Sequence, residues 1–266
     1  GVAVLDGHDG RVRMPLGIDS LDRALAGGLA LGRVHLLSGA MQIHGAVSGF
    51  TIALLCMLRH HLPVKKPTNN IWPINYPNQD TSLIIWCPAS QCGGAGMLYG
   101  HGLAAAGLDP ACLLIVDTPS PSRRLAALDD ILRTEGLAAV VIEYDGLQKS
   151  ADYWMRLTRR AQLAAEQSGT TAFLLGAPIA ASGFETAWQI KPAPNFAMQS
   201  NPALVLHSVW DLTLHRARGG RPHTCRVSWH AGSTSLHVID QTDLSPNMQV
   251  KAAFNIHAPA IHTLAI

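Results

Sequence analysis

Charge is scarce in this chain: Asp, Glu, Lys and Arg make up only 14% of its 266 residues, against 48% hydrophobic ones. A charge-rich disordered chain is thereby excluded, and the composition is that of a core-rich globular protein with much of its surface covered. The net charge of +2 neither demands nor excludes a nucleic-acid partner. Long apolar runs are also missing. No stretch of eighteen exists, and the opening GVAVLDGHDGRV has no basic segment followed by an apolar one, so neither a membrane span nor a signal peptide is expected. Paired cysteines are absent too. Cys56, Cys87, Cys92, Cys112 and Cys225 are odd in number and lie in apolar segments without a CxxC spacing, which reads as reduced core thiols of a cytoplasmic protein. The thirteen histidines, among them His60-His61, His207, His215, His223 and His230, show no HExxH or paired-cysteine context, so no metal is expected.

What is present first is the frame of a phosphate-binding turn. After Gly17 come a short amphipathic helix, Gly27-Gly28, an apolar strand (Val34 to Leu37), a glycine turn and a long helix (Ser48 to His61). Strand, glycine turn and helix is how a P-loop is built, because backbone N–H groups at the turn and the helix N-terminus face the phosphates. A P-loop also needs a Lys for the β/γ-phosphates and an adjacent Ser or Thr for Mg²⁺, at the spacing G-x-x-x-x-G-K-[ST]. Here Gly39 and Gly45 are six apart instead of five, and no Lys occurs between Gly39 and Val64. The frame is that of a lapsed nucleotide pocket.

The rest of the chain keeps the same grammar for four more units. In the opening segment, Asp19 or Ser20 is the expected N-cap of a helix that ends before Gly27-Gly28. The helix to His61 is apolar nearly all round and is stopped by Pro63. Residues 63–82, with four prolines and four asparagines, read as a loop insertion whose Trp72, Ile74 and Tyr76 are candidates to fold back or meet a partner. Short apolar runs at Ser82–Cys87 and Ala138–Ile142 predict buried parallel strands, and Leu113–Val116 and Thr170–Leu175 two further strands, alternating with helices over Met97–Ala106, Pro121–Glu135 and, capped by Ser150, to Gln167. That order implies a mainly parallel sheet with right-handed crossovers and helices on both faces. After Gly176 the pattern changes. Thr186–Ile190, Val205–His215, Cys225–His230 and Ser235–Ile239 read as antiparallel strands appended to the sheet, with a hairpin turning at Gly219-Gly220. Residues 1–240 thus form one expected domain and 241–266 an extended or poorly ordered tail.

Five segments in this order resemble the ImuA family: PLGIDSLDRALAGGLALGRVHLLSG, GLAAAGLDPACLLIV, LAAVVIE, LAAEQSGTTAFLL and the RARGGRP hairpin within Arg216 to Trp229. The resemblance runs from about Leu16 to Trp229, with residues 63–80 where a short connection is expected. It implies a RecA-like core and a role in damage-induced translesion synthesis as an accessory factor. The partners it implies are an ImuB-type protein, an error-prone C-family polymerase and RecA. The residues themselves point the same way on catalysis. A RecA-type ATPase wants a Glu at the end of the strand after the P-loop helix, and SLIIWC is followed instead by Pro88-Ala89-Ser90. Glu143 and Asp145, after AAVVI, hold a Walker-B-like position. With no Lys they read as a structural remnant, Mg²⁺ or nucleotide binding being the alternative, so no catalysis and no cofactor is expected.

Nucleic-acid contact in such a core rests on the loops after the fourth and fifth strands. Here these are Asp145–Ser150 and Gly176–Thr186, both short, and the second has no basic residue, which disfavours filament-style DNA binding. The remaining positive feature is Arg216, Arg218, Arg221 and Arg226 around Gly219-Gly220, with His215 and His223, a candidate contact for phosphates or an acidic partner. Against it stands a solvated turn whose arginines snorkel over neighbouring strands. Arg156, Arg159 and Arg160 read as an ordinary solvated helix face. A nucleophile built from Cys87 or Cys92 with His101 has no third group to orient it. Trp86, Trp188, Trp210 and Trp229 are expected in the core, with partner anchoring as the alternative. Two other functions stay open: a SulA-like cell-division inhibitor binding the division GTPase, and a divergent ATPase of the RecA/DnaB type.

Overall fold

The computed structural model describes residues 11–39, 45–62, 83–89, 98–145, 149–194 and 208–239. The insertion 63–82 with Trp72, Ile74 and Tyr76, the tail 241–266, Cys92, His207 and the middle of the loop after Asp145 lie outside the described residues. Within them, five helices and eleven strands follow one another. A two-residue strand β1 (Arg13–Met14) pairs antiparallel with β2 (Leu29–Ala30), closing the segment around helix α1 (Asp19–Ala24). Then come β3 (Val34–Gly39), α2 (Gly45–His61), β4 (Leu83–Cys87), α3 (Gly100–Ala105), β5 (Leu113–Ile115) and α4 (Pro121–Leu132). The chain continues through β6 (Leu137–Glu143), α5 (Ala151–Ser168), β7 (Thr171–Leu175), β8 (Thr186–Pro192), β9 (Ser208–Ala217), β10 (His223–His230) and β11 (Ser235–Val238).

Nine of these strands form one sheet in the order β11-β10-β9-β8-β3-β7-β6-β4-β5. From β8 to β5 all pairs are parallel, and from β8 to β11 all are antiparallel. The mainly parallel sheet with helices on both faces is therefore what the apolar runs predict. Alternation along each strand divides the core in two. Leu37, Ile84, Trp86, Ala139, Val141, Phe173 and Leu175 face the layer of α1, α2 and α3, whereas Leu36, Ile85, Val140, Ile142, Ala172 and Leu174 face α4 and α5. Helix α2 is buried on most sides, and its Phe50 packs against Trp188 and Trp210 with ring centroids 6.0 and 5.5 Å away. Trp86, Trp188, Trp210 and Trp229 are all buried, as core packing predicts.

Two expectations are corrected. The strand at Thr186–Ile190, grouped in sequence with the antiparallel set, pairs in parallel with β3 and only its other edge is antiparallel, to β9. Parallel strands of one sheet are normally joined by a crossover of a dozen residues or more, usually a helix, and residues 176–185, which carry the chain from β7 past β3 to β8, are too few and too turn-like to suggest one. The crossover is made instead by loop packed on α5, where Thr158 Oγ1 donates to the Ser182 carbonyl at 3.0 Å and Gln162 Nε2 to that of Gly183 at 3.5 Å. Gly183, at φ +93°, lies so close to Thr158 that a Cβ would overlap its hydroxyl. The second correction concerns α1. Its N-cap is Ile18, without a side-chain hydrogen bond, because Asp22 reaches back to accept the N–H groups of Leu16 and Gly17 at 2.7 and 3.0 Å and fixes the turn from inside the helix. Ser150, by contrast, caps α5 as expected, accepting from Tyr153 N at 3.2 Å.

Candidate functional site

In a parallel sheet flanked by helices, ligands gather at the carboxyl ends of the strands. Here that edge is formed by Gly39 at the end of β3, Cys87 to Ala89 after β4, Glu143 to Asp145 at the end of β6, and Gly176-Ala177 after β7. Gly39 and Gly45 bracket the turn between β3 and α2, whose residues 40–44 lie outside the described ones. Ser38 on β3 donates its hydroxyl to the Ala177 carbonyl at 2.5 Å, so the two strand ends are tied to each other.

Glu143 is the informative residue of this edge. Its side chain is buried, with Oε1 accepting from the Trp86 indole at 2.9 Å and Oε2 from the Ala89 N–H at 2.8 Å. Both carboxylate oxygens are therefore engaged by neutral donors from the neighbouring strand and the segment after it. Beneath it lies Arg124 of α4, fully buried, which donates to the Glu143 carbonyl at 2.9 Å, to Asp145 Oδ1 at 2.7 Å and to Thr118 Oγ1 at 3.1 Å. Cutting an isolated buried guanidinium off from water is costly, and these acceptors compensate it. The group as a whole ties β4, β6 and α4 together. Trp86, Arg124 and Thr118 are not found by motif reading. A signal existed for Arg124 alone, since it stands among Leu125, Leu128 and Leu132 on the buried stripe of α4.

The arginines around Gly219-Gly220 are not brought together. A β-bulge in β9 sets Leu214 opposite Trp188 but Arg216 opposite Ala187, leaving His215 as the extra residue. The bulge turns Arg216 to the α5 side of the sheet, where its Nη2 donates to the Ala181 carbonyl at 2.8 Å. Arg226 lies further down β10 in a bidentate pair with Asp211 at 2.7 and 2.8 Å, which raises its already high pKa through that hydrogen bond. Arg218 and Arg221 are exposed at the tip, and their backbone N–H groups are bonded to the carbonyls of Glu185 and Ala24, each at 2.9 Å. Gly220 approaches the Ala24 carbonyl so closely that any Cβ would collide with it. The hairpin is thus docked on the end of α1, with two side chains free to reach outward instead of four.

Cys87 is buried, which pushes its thiol up to about 11, and His101 is exposed and stacked on Tyr99 at 5.1 Å, so the pair shows no activated nucleophile. Burial likewise pushes Cys56 up to about 12 and Cys225 up to about 11, as suits free core thiols. Among the described residues no group of His, Cys, Asp and Glu is placed to hold a metal ion, and no helix is long and apolar enough to cross a membrane. Residues 176–186, one of the two loops considered for DNA, are largely packed: Ala177, Ala181, Phe184, Glu185 and Thr186 are buried.

With this geometry in hand, comparison with known proteins is informative for part of the chain. No protein-family profile matches it. It is 32% identical over 137 residues to Protein ImuA of Caulobacter vibrioides, in both strain NA1000 / CB15N and strain ATCC 19089 / CIP 103742 / CB 15. The match takes in 47% of this chain and 53% of each relative, so the chain spans about half the length of the curated relatives it matches. Over that half, the similarity supports an ImuA-like assignment.

Proposed function

We propose that the chain is a RecA-like, non-catalytic adaptor in damage-induced mutagenic translesion DNA synthesis, acting with an ImuB-type protein, an error-prone C-family polymerase and RecA. The similarity to Protein ImuA supports the process. The parallel sheet with helices on both faces and antiparallel strands along one edge is compatible with a RecA-like core.

The observation that carries the non-catalytic part is the engagement of Glu143. A carboxylate that holds Mg²⁺ or orients water must present an oxygen to the ligand. Both oxygens of Glu143 face protein donors, and Asp145 is paired with Arg124. The chain also lacks a Lys for the β/γ-phosphates between Gly39 and Val64. These features support a role in protein contact.

The test is capture of purified RecA, an ImuB-type protein and the tubulin-like division GTPase on the immobilised chain, with and without Mg·ATP, alongside thermal melts. Nucleotide-independent capture of the ImuB-type protein or RecA, with no change of melting temperature at millimolar Mg·ATP, is expected. A ligand in large excess over its Kd must stabilise the native state. A clear upward shift, or capture of the division GTPase alone, would replace the proposal with one of the two other readings.

A further inference from the structure

Helix α5 presents two contrasting sides. Its inner side, Trp154, Thr158, Ala161, Gln162, Ala164 and Ala165, is buried against β3, α4 and the 176–185 crossover. On the outer side, the 3.6-residue period aligns Met155, Arg159 and Leu163 along one ridge and Arg156 and Arg160 along the next. Met155 and Leu163 are 53% and 54% exposed. Large apolar side chains standing singly on a surface need no explanation. These two share a ridge, one turn to either side of Arg159.

The cations between and beside them are unevenly balanced. Arg160 is paired with Asp129 of α4 at 3.0 Å, and Glu166 with Arg33. Arg156 and Arg159 are exposed and make no ion pair among the described residues. Asp152, the acid of this face, sits in the first turn, where the helix dipole favours it. The face therefore offers two exposed guanidinium groups without an ion pair among the described residues, beside two half-exposed apolar chains, on a helix capped at both ends by Ser150 and Gly169.

We propose that this outer face of α5 is a docking surface for an acidic segment of a partner protein that carries apolar side chains at helical spacing. Acidic groups answer Arg156 and Arg159, and apolar groups cover Met155 and Leu163. Arg and Met are among the residues enriched at protein interfaces. Single-stranded nucleic acid would satisfy the guanidiniums, but it binds through a basic groove and aromatic stacking platforms, which two aliphatic chains do not supply. The surface is independent of the mutagenesis reading, since it rests on α5 alone.

The experiment titrates the full chain into a fluorescent peptide of five helical turns, about 18 residues, bearing Glu and Leu on one face. A twin with Ser for Leu and a single-stranded oligonucleotide serve as the other probes. Two variants are compared, R156E/R159E and M155S/L163S, both on exposed positions whose unchanged melting temperature shows an intact fold. The acidic apolar peptide is expected to bind, about tenfold more weakly to either variant, a loss equal to one factor of ten in Kd. The serine twin is expected to bind no better than the peptide binds M155S/L163S. No peptide binding, binding by both variants as tight as by the parent chain, or sensitivity to the arginines alone would overturn the proposal. The last pattern together with tight oligonucleotide binding would assign the face to nucleic acid.

Discussion

Glu143 accepts from two neutral donors, so its truncation removes this partner from both the Trp86 indole and the Ala89 N–H at the end of β4. Glu143→Ala is expected to cost about 2–4 kcal/mol in urea unfolding, roughly 1–3 kcal/mol for the buried Trp86 indole and about 1 kcal/mol for the half-buried Ala89 N–H. Glu143→Gln should cost less, since the amide keeps one acceptor oxygen. A Glu143→Ala variant as stable as the parent would remove the structural role argued for this carboxylate. The tip arginines behave differently. Arg218→Ala with Arg221→Ala should change stability by less than about 0.5 kcal/mol, whereas Arg226→Ala, which breaks a partly exposed pair with Asp211, should cost up to about 1 kcal/mol. A third residue governs acid behaviour. His35 is fully buried, and burial lowers its pKa from 6.5 to about 4, partly opposed by a hydrogen bond to the Ala30 carbonyl and reinforced by the charges of Arg13 and Arg33. Its Nε2 lies 2.8 Å from that carbonyl and its Nδ1 2.8 Å from Thr186 Oγ1, which itself accepts from the Trp188 indole at 2.7 Å. Only the neutral ring with the proton on Nε2 satisfies this chain. Between pH 6.5 and 4 the unfolded state takes up a proton that the folded state refuses, so stability falls as pH falls and is unaffected by this group above 6.5. The loss amounts to roughly 3 kcal/mol by pH 4, and His35→Gln should abolish this slope in unfolding curves measured across the window. In the sequence, Glu143 and Asp145 are legible from the run AAVVI that precedes them. Their partners are not, because a hydrogen bond between residues 57 positions apart leaves no local pattern.

At the scale of elements, caps and apolar stripes are local and were the most readable. Ser150 ends an extended residue and opens an amphipathic helix, and the structure has its hydroxyl on the Tyr153 N–H. Ser150→Ala is expected to lower stability by about 1 kcal/mol, checked by thermal or urea unfolding, and a neutral result would mean that packing of Trp154 alone fixes this end of α5. Strands β4, β6 and β7 are equally legible, since a strand covered on both faces is apolar throughout. What was not legible is pairing direction where the connection lacks a helix. Residues 176–185 carry no helical period, so β8 resembles its antiparallel successors in sequence and lies parallel to β3 in space. The bulge at His215 is hidden for a related reason. It reverses the facing of Arg216 relative to Leu212 and Leu214, which simple alternation along the strand does not show.

For the whole molecule, the sheet is the continuous object. β8 hydrogen-bonds to β3 on one edge and β9 on the other, and a single apolar cluster carries Val141 and Phe173 from the parallel part together with Leu214, Val227 and Trp229 from the antiparallel part. Helix α2 reinforces that continuity, because Phe50 touches both Trp188 of β8 and Trp210 of β9. A chain built this way has no plane along which its antiparallel strands can separate without exposing that cluster. The expected consequence is cooperative unfolding as one unit. Leu214→Ala, in the antiparallel part, and Leu36→Ala, in the parallel part, each remove a fully buried side chain and should cost about 2–5 kcal/mol. Both should move one and the same transition, with tryptophan fluorescence and far-ultraviolet circular dichroism giving coincident midpoints. If Leu214→Ala instead split the curve, with an early phase seen by one probe and a late phase left at the parental midpoint, the strands from β9 onward would be a separate folding unit. The hairpin at Gly219-Gly220 could then open while the parallel sheet stays folded, and its docking on Ala24 would be a local contact between units.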